Sequence, residues 1–157
     1  MVAAALQPSV AQVWSWLGEV PDPEIPVVSV VDLGIVRDAR WENDQLVVCV
    51  TPTYSGCPAT SVFAQAIAAA LQSHGVKTLR LETQLSPPWT TDWISDAGKE
   101  CLRAVGIAPP TPHGTLISCP RCASASVAKV SEFGSTPCKA QYRCLDCREP
   151  FDLFKCL

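Results

Sequence analysis

Histidine is almost missing from this chain: His74 and His113 are the two in 157 residues. A di-iron carboxylate site draws on a pair of Glu-x-x-His elements, and none can be assembled here. No haem, flavin or dinucleotide fingerprint takes its place. Charge is sparse as well, with 12 Lys/Arg and 15 Asp/Glu making up 17% of the residues. Before His113 eleven acidic side chains outnumber six basic ones, and from His113 onward six basic face four acidic. No basic stripe exists to release counterions from phosphates, so the composition argues against nucleic acid and for a protein partner. Long apolar runs are lacking too. The largely apolar stretch from Ala64 to Leu71 is far short of the roughly 20 residues that span a bilayer. No Lys/Arg-led signal segment precedes it, so the expectation is a soluble, cytoplasmic protein with no membrane contact.

Cysteine, by contrast, is abundant. Nine is an odd number, so complete disulfide pairing is excluded, and in a reducing compartment closely spaced thiols bind metal or do chemistry. Three lie in the first 107 residues and six between Cys119 and Cys156. The change falls at Ala108-Pro-Pro-Thr-Pro-His-Gly114, whose prolines fix φ and lack backbone donors, so neither a helix interior nor a central strand fits there. The predicted organisation is a first domain over 1–107, a linker over 108–114 and a second domain over 115–157.

The first domain reads as α+β, in the order α-β-β-β-α-β-α. Ser9 caps a helix carrying Val10, Val13, Trp14 and Leu17 at helical spacing, and Gly18 ends it. Val27–Val31, Ile35–Trp41 and Leu46–Thr51 read as strands, the last two as a hairpin. Pro58 suits the first turn of an Ala-rich helix ending near His74, whose nearly all-round apolar character predicts deep burial. Lys77–Leu85 alternates as a half-exposed strand, and Ser95 caps a helix from about Asp96 to Val105 that stops at Gly106.

In the second domain Cys119-Pro-Arg-Cys122 and Cys144-Leu-Asp-Cys147 are two CxxC pairs separated by 21 residues. That is close to the spacing of a four-cysteine zinc site, in which two tight turns aim four thiolates at one ion. A domain this small with few large apolar side chains is hard to fold alone, and a structural zinc contributes on the order of 10 kcal/mol. Four thiolates also hold iron-sulfur clusters, but the paired turns favour zinc. Cys138 and Cys156 read as small buried apolar residues, although they also offer alternative ligands.

In the first domain Cys57 stands before Pro58 at the predicted helix start, where the dipole and free backbone donors would favour the thiolate. A nucleophile or soft-metal ligand and a space-filling turn residue both fit that position. Asp22 and Glu24 lie in Pro21-Asp-Pro-Glu-Ile-Pro26, a proline-stiffened stretch that could pin carboxylates for metal but on spacing alone is a solvated turn. Cys49 and Cys101 read as core, His74 as a helix C-terminal residue and His113 as part of the linker.

Asp22-Pro-Glu-Ile-Pro26, Val30-Val-Asp-Leu-Gly-Ile-Val36 and Thr53-Tyr-Ser-Gly-Cys-Pro58 together resemble the metal-sulfur cluster assembly domain of bacterial SufT and of the eukaryotic cytosolic iron-sulfur targeting complex. With Trp89-Thr-Thr-Asp-Trp-Ile94, Ser131-Glu-Phe-Gly-Ser-Thr136 and the ribbon added, almost the entire chain is similar to the PaaD (PaaJ) family. The resemblance implies a small α/β layer domain of the metal-sulfur cluster assembly type followed by a zinc ribbon. It implies an accessory role in the phenylacetyl-CoA oxygenase system that forms 1,2-epoxyphenylacetyl-CoA, maturing an iron-sulfur centre of the reductase rather than oxidising substrate. Structural zinc on Cys119, Cys122, Cys144 and Cys147, and iron or a transient iron-sulfur cluster at Cys57 helped by Asp22 and Glu24, are the expected cofactors. The oxygenase components, the iron-sulfur reductase among them, are the expected partners. A docking subunit that holds those components together through its ribbon, without cluster transfer, is the alternative.

Overall fold

The computed structural model describes residues 7–157, and the chain divides into two compact units, 1–89 and 90–157.

In the first unit α1 spans Val10–Leu17 and begins with a capping box. Ser9 Oγ accepts from the Gln12 amide at 3.2 Å and the Gln12 side chain accepts from the Ser9 amide at 2.9 Å. Strands β1 (Val36–Glu42) and β2 (Gln45–Val50) form the expected hairpin, turned by Asn43 at φ 56°. Helix α2 (Thr60–Ser73) then carries the chain back so that β3 (Leu79–Thr83) pairs parallel to β2, giving the sheet order β1-β2-β3. Phe63, Ile67 and Leu71, four residues apart, are the buried stripe of α2. Its other positions are half-buried or exposed, so the expected deep burial holds for one face alone: alanine is small enough to tolerate water.

Strand β2 is central and buried on both sides, with Leu46, Val47 and Val48 wholly inaccessible. One side of it is covered by charge. Arg40 on β1 pairs with Asp38 at 2.9 Å, Glu42 at 2.9 Å and, across β2, with Glu82 on β3 at 3.0 Å. Arg80 binds Glu42 at 2.6 Å and Glu82 at 2.8 Å. These exposed pairs contribute little each. Their side chains, however, stand in register with Val47 and Cys49, and their aliphatic stems keep those two residues from water.

The predicted strand Val27–Val31 is absent. Val28 N donates to Ile25 O and Leu33 N to Ser29 O in turns, each at 3.0 Å, while Asp22 N to Val28 O at 2.8 Å and Val30 N to Val20 O at 2.9 Å make no more than the isolated antiparallel bridge of Pro21 to Ser29. A β-branched run satisfies strand propensity, yet the flanking prolines remove the donors a ladder would need.

The second unit opens with a 3₁₀ turn at Thr91–Trp93 and the short helix α3 (Asp96–Ala104), capped by Ser95 Oγ on the Gly98 amide at 2.9 Å. Strands β4 (Ile107–Ala108), β5 (Val127–Ser131), β6 (Lys139–Cys144) and β7 (Pro150–Phe154) form a sheet in the order β4-β7-β6-β5. Its core is small: Ala108, Cys119, Ala140, Tyr142, Cys144, Phe151 and Leu153. Cys138 is buried as expected, but Cys156 is exposed, so the reading of it as a buried apolar residue is corrected; Cys101 is half-buried.

The boundary expected at 107/108 also moves. Ile107 and Ala108 pair with Asp152 and Leu153 of β7, and Ala108 belongs to the ribbon core, so α3, β4 and the proline-rich stretch lie in the second unit. Prolines mark where regular structure stops, not where packing stops. A fragment starting at His113 should therefore be less stable than one starting at Thr90, by about 1 kcal/mol for each β4 hydrogen bond lost plus the buried Ala108. Urea titration of the two metal-loaded fragments checks this.

Candidate metal centre and cluster-handling loop

The two CxxC turns are near copies of each other. In each, the first cysteine's amide donates to the carbonyl five residues on: Cys119 N to Ser124 O at 2.8 Å and Cys144 N to Glu149 O at 3.0 Å. In each, the residue after the second cysteine is left-handed, Ala123 at φ 63° and Arg148 at φ 64°. Backbone N–H groups thereby turn toward the sulfurs, as in the 3.4 Å bond from Arg121 N to Cys119 Sγ. Ser124 Oγ donates to the Asp146 carboxylate and ties one turn to the other.

All four sulfurs lie within 4.8 Å of one another, with Cys119 to Cys147 at 3.8 Å and Cys122 to Cys144 at 3.5 Å. A regular tetrahedron with ligand bonds of about 2.3 Å has edges of about 3.8 Å, so the donor set fits a zinc-sized ion. Cys119 and Cys144 are buried, while Cys122 and Cys147 face solvent. Backbone amides of Cys147 and then Asp146 hold Cys144 down to about 7. The Glu149 amide acts the same way on Cys147, but desolvation and the sulfurs of Cys144, Cys122 and Cys119 push it up to about 12. Crowded thiols cannot all ionise by themselves; a cation among them reverses that balance, and its binding must release protons.

The three first-unit candidates are placed differently. Asp22 is buried, and its Oδ1 accepts from Glu24 N at 2.9 Å and Ile25 N at 2.8 Å. The carboxylate thus organises its own turn and sets the exposed Glu24 on it. Cys57 lies on the loop between β2 and α2, 8% exposed between exposed Gly56 and Pro58. Helix α2 starts three residues later, at Thr60 with Ala59 as N-cap, and it is the Cys57 carbonyl that accepts from Thr60 N at 3.1 Å and Thr60 Oγ1 at 2.8 Å. The predicted position of Cys57 at the helix terminus is therefore corrected: Pro58 precedes the helix instead of opening it. Among the described residues, one group of three or more metal-ligating side chains converges, and it is the ribbon set. The Cys49 thiol donates to Gln84 Oε1 at 3.2 Å, and burial first, then Glu82 and Asp38, push its pKa up. His74 caps α2 at its C-terminus and stacks on Trp16 with centroids 4.3 Å apart.

Sequence reasoning overlooked Thr51. Its hydroxyl, at the end of β2 and the head of the Cys57 loop, is buried and is the one such side-chain polar atom among the described residues without a hydrogen-bond partner. The overlooked pair Ser124 and Asp146 had a faint signal, each lying within or just beyond a CxxC turn.

Residues 110–155 match the family described as the PaaD zinc beta ribbon domain, and residues 10–78 match the iron-sulfur cluster assembly protein family. A protein of Escherichia coli named as one of the subunits of a 1,2-phenylacetyl-CoA epoxidase is 46% identical, over 99% of this chain and 98% of its own length. An Fe-S protein maturation auxiliary factor of Porphyromonas gingivalis is 34% identical over 51% of this chain and 77% of its own. A domain of unknown function from Bacillus anthracis matches with a TM-score of 0.54 and 28% identity, covering 59% of this chain and 89% of that one. A conserved hypothetical protein of Thermotoga maritima matches at 0.52 and 27%, covering 60% and 93%. No helix among the described residues is long and apolar enough to cross a membrane.

Left-handed backbone costs a residue with a Cβ on the order of 1 kcal/mol. Ala123→Gly should accordingly stabilise the metal-loaded protein by roughly 0.5–1 kcal/mol after the added entropy of glycine is discounted. A shift of the denaturant midpoint to higher concentration, with the same slope, is the expected result.

Proposed function

Since this chain belongs to the PaaD family, whose E. coli relative is named as a component of phenylacetyl-CoA epoxidase, we propose that it matures an iron-sulfur centre of that system's reductase. It works as an accessory cytoplasmic subunit, and its ribbon holds one structural zinc ion on Cys119, Cys122, Cys144 and Cys147. The observation that carries the reading is the position of Cys57 in the unit matched by the iron-sulfur cluster assembly family. It is the one cysteine of that unit on a loop; Cys49 is fixed within β2.

In this reading Cys57, as thiolate, ligates iron of the cargo, and a thiolate of the client displaces it. The cargo is a substrate passed on, not a resident group. Asp22 acts indirectly by fixing the turn that displays Glu24, and Glu24 offers a hard oxygen ligand that binds iron more weakly than sulfur does. The unpartnered Thr51 hydroxyl at the head of the loop supplies a hydrogen-bond donor for the cargo's sulfide or the incoming client.

A second reading is favoured by the burial of Cys57 and by the engagement of Asp22 with its own backbone: the chain is a docking subunit whose ribbon joins the epoxidase components. The two readings part on one substitution. Cys57→Ser should leave folding and a zinc content of about one per chain unchanged, yet yield a reductase short of iron and sulfide when the system is expressed together. A fully loaded reductase in that strain leaves the docking reading standing.

Thr51→Val provides an independent check, because replacing a buried hydroxyl that lacks a partner by an isosteric methyl should not destabilise the protein and can stabilise it by about 1 kcal/mol. Cluster loading of the reductase should nevertheless fall. Unimpaired loading would remove Thr51 from the mechanism.

A further inference from the structure

Sulfurs buried in a structural site are inert toward oxidants, and the burial of the ribbon set is uneven. Cys119 and Cys144, the first cysteine of each turn, are 2% and 0% exposed, whereas Cys122 and Cys147, the second of each, face solvent. Ligation to a cation keeps all four as thiolates, and the thiolate is the form of sulfur that attacks a peroxide. Two of the four are therefore open to an oxidant and two are sheltered from it.

The near neighbours pair across the site. Cys122 Sγ stands 3.5 Å from Cys144 Sγ and Cys147 Sγ 3.8 Å from Cys119 Sγ, so each exposed sulfur has a buried one beside it on the opposite turn. Contacts that do not pass through an ion hold the turns face to face. Leu145 N donates to Ser126 O at 2.8 Å, Val127 pairs with Cys144 across β5 and β6, and Ser124 Oγ donates to the Asp146 carboxylate. An accessible sulfur poised beside a second one is the arrangement of a redox-sensing cysteine and its resolving partner. Here it occurs twice.

We propose that the ribbon is an oxidation site for hydrogen peroxide, with Cys122 and Cys147 as the reacting sulfurs and Cys144 and Cys119 as their resolving partners. The Cys122 thiolate attacks one peroxide oxygen, the O–O bond breaks, and hydroxide leaves with the electron pair, giving a sulfenic acid. The Cys144 thiolate then attacks the Cys122 sulfur, the S–O bond breaks and a second hydroxide leaves. Two sulfurs have given up two electrons, and one peroxide has become two hydroxides that take protons from solvent. Cys147 and Cys119 repeat the sequence with a second peroxide. Disulfide sulfurs carry no thiolate charge to hold a cation, so zinc is lost while two covalent links replace it between the turns. An oxygenase that reduces oxygen without delivering it to substrate releases peroxide, which makes the epoxidase system proposed above a source of the oxidant. The inference rests on the zinc reading of the ribbon and is independent of Cys57.

The test exposes the full zinc-loaded chain to excess hydrogen peroxide and follows metal release with a chromogenic chelator; loss of about one zinc per chain is expected. Trypsin cuts after Arg121 and Arg143 and an Asp-specific protease before Asp146, which separates the four cysteines. Mass spectrometry of the thiol-blocked digest should find Cys122 joined to Cys144 and Cys119 joined to Cys147. A sulfenic-acid trap present during oxidation should label Cys122 and Cys147 and spare the buried pair. Cys156→Ser removes the exposed thiol outside the ribbon and should leave the rate of release unchanged. A disulfide within either CxxC turn, a bond between Cys122 and Cys147, trapping on the buried pair, slower release from Cys156→Ser or retention of the zinc would each overturn the proposal and leave the zinc reading intact. A reduced chain that carries no zinc at the outset would overturn both.

Discussion

Four sulfurs drawn within 4.8 Å of one another repel as thiolates, and the second unit is arranged around the need to place a cation among them. Without one, Cys144 and Cys147 are driven in opposite directions, because only some thiols of the crowd can give up a proton. With one, the sulfurs become the rigid centre of a cluster whose other buried members are two alanines, Tyr142, Phe151 and Leu153. The paired turns, their left-handed residues and the Ser124 to Asp146 link all follow from bringing these donors to a single point. The strands β5, β6 and β7 inherit their positions from the turns at their ends.

The four-cysteine set of the ribbon was legible in the sequence because its chemistry is local: two CxxC turns carry their geometry within a few residues each, and the closing distance, the Ser124 to Asp146 link and the pairing of β4 had to come from the fold. The caps at Ser9 and Ser95 and the hairpin turn at Asn43 were legible for the same reason. What failed was non-local. The strand expected at Val27–Val31 satisfied propensity but found only one isolated bridge to pair with, and the boundary expected after residue 107 ignored the pairing of β4 with a strand more than forty residues away. At the first-unit site the sequence named Asp22, Glu24 and Cys57. It could not foresee that one Asp22 oxygen would be taken by two backbone amides, or that α2 would start after Pro58. Thr51 escaped notice since nothing in a sequence distinguishes a threonine whose hydroxyl will find no partner.

The two units solve the same problem in opposite ways. In the second, a metal site substitutes for apolar mass. In the first, an extended apolar strand, β2, is shielded partly by the stems of charged residues, so that Val47 is inaccessible beneath Arg40 and Arg80. Arg40 first, and then Arg80, keep Glu42 below the ordinary carboxylate range. The surface above β2 can therefore stay polar without opening the sheet to water.

The parallel pairing of β2 with β3 has a kinetic side. The β1-β2 hairpin closes over two residues and can form early, whereas Leu46 meets Leu79 only after the whole of α2 has been traversed. Closing that long loop loses chain entropy before the pairing returns any stabilisation. Until it closes, one edge of β2 is a bare apolar strand, so the interval between making residue 50 and residue 83 on the ribosome is the period in which this chain is most open to association with its own kind.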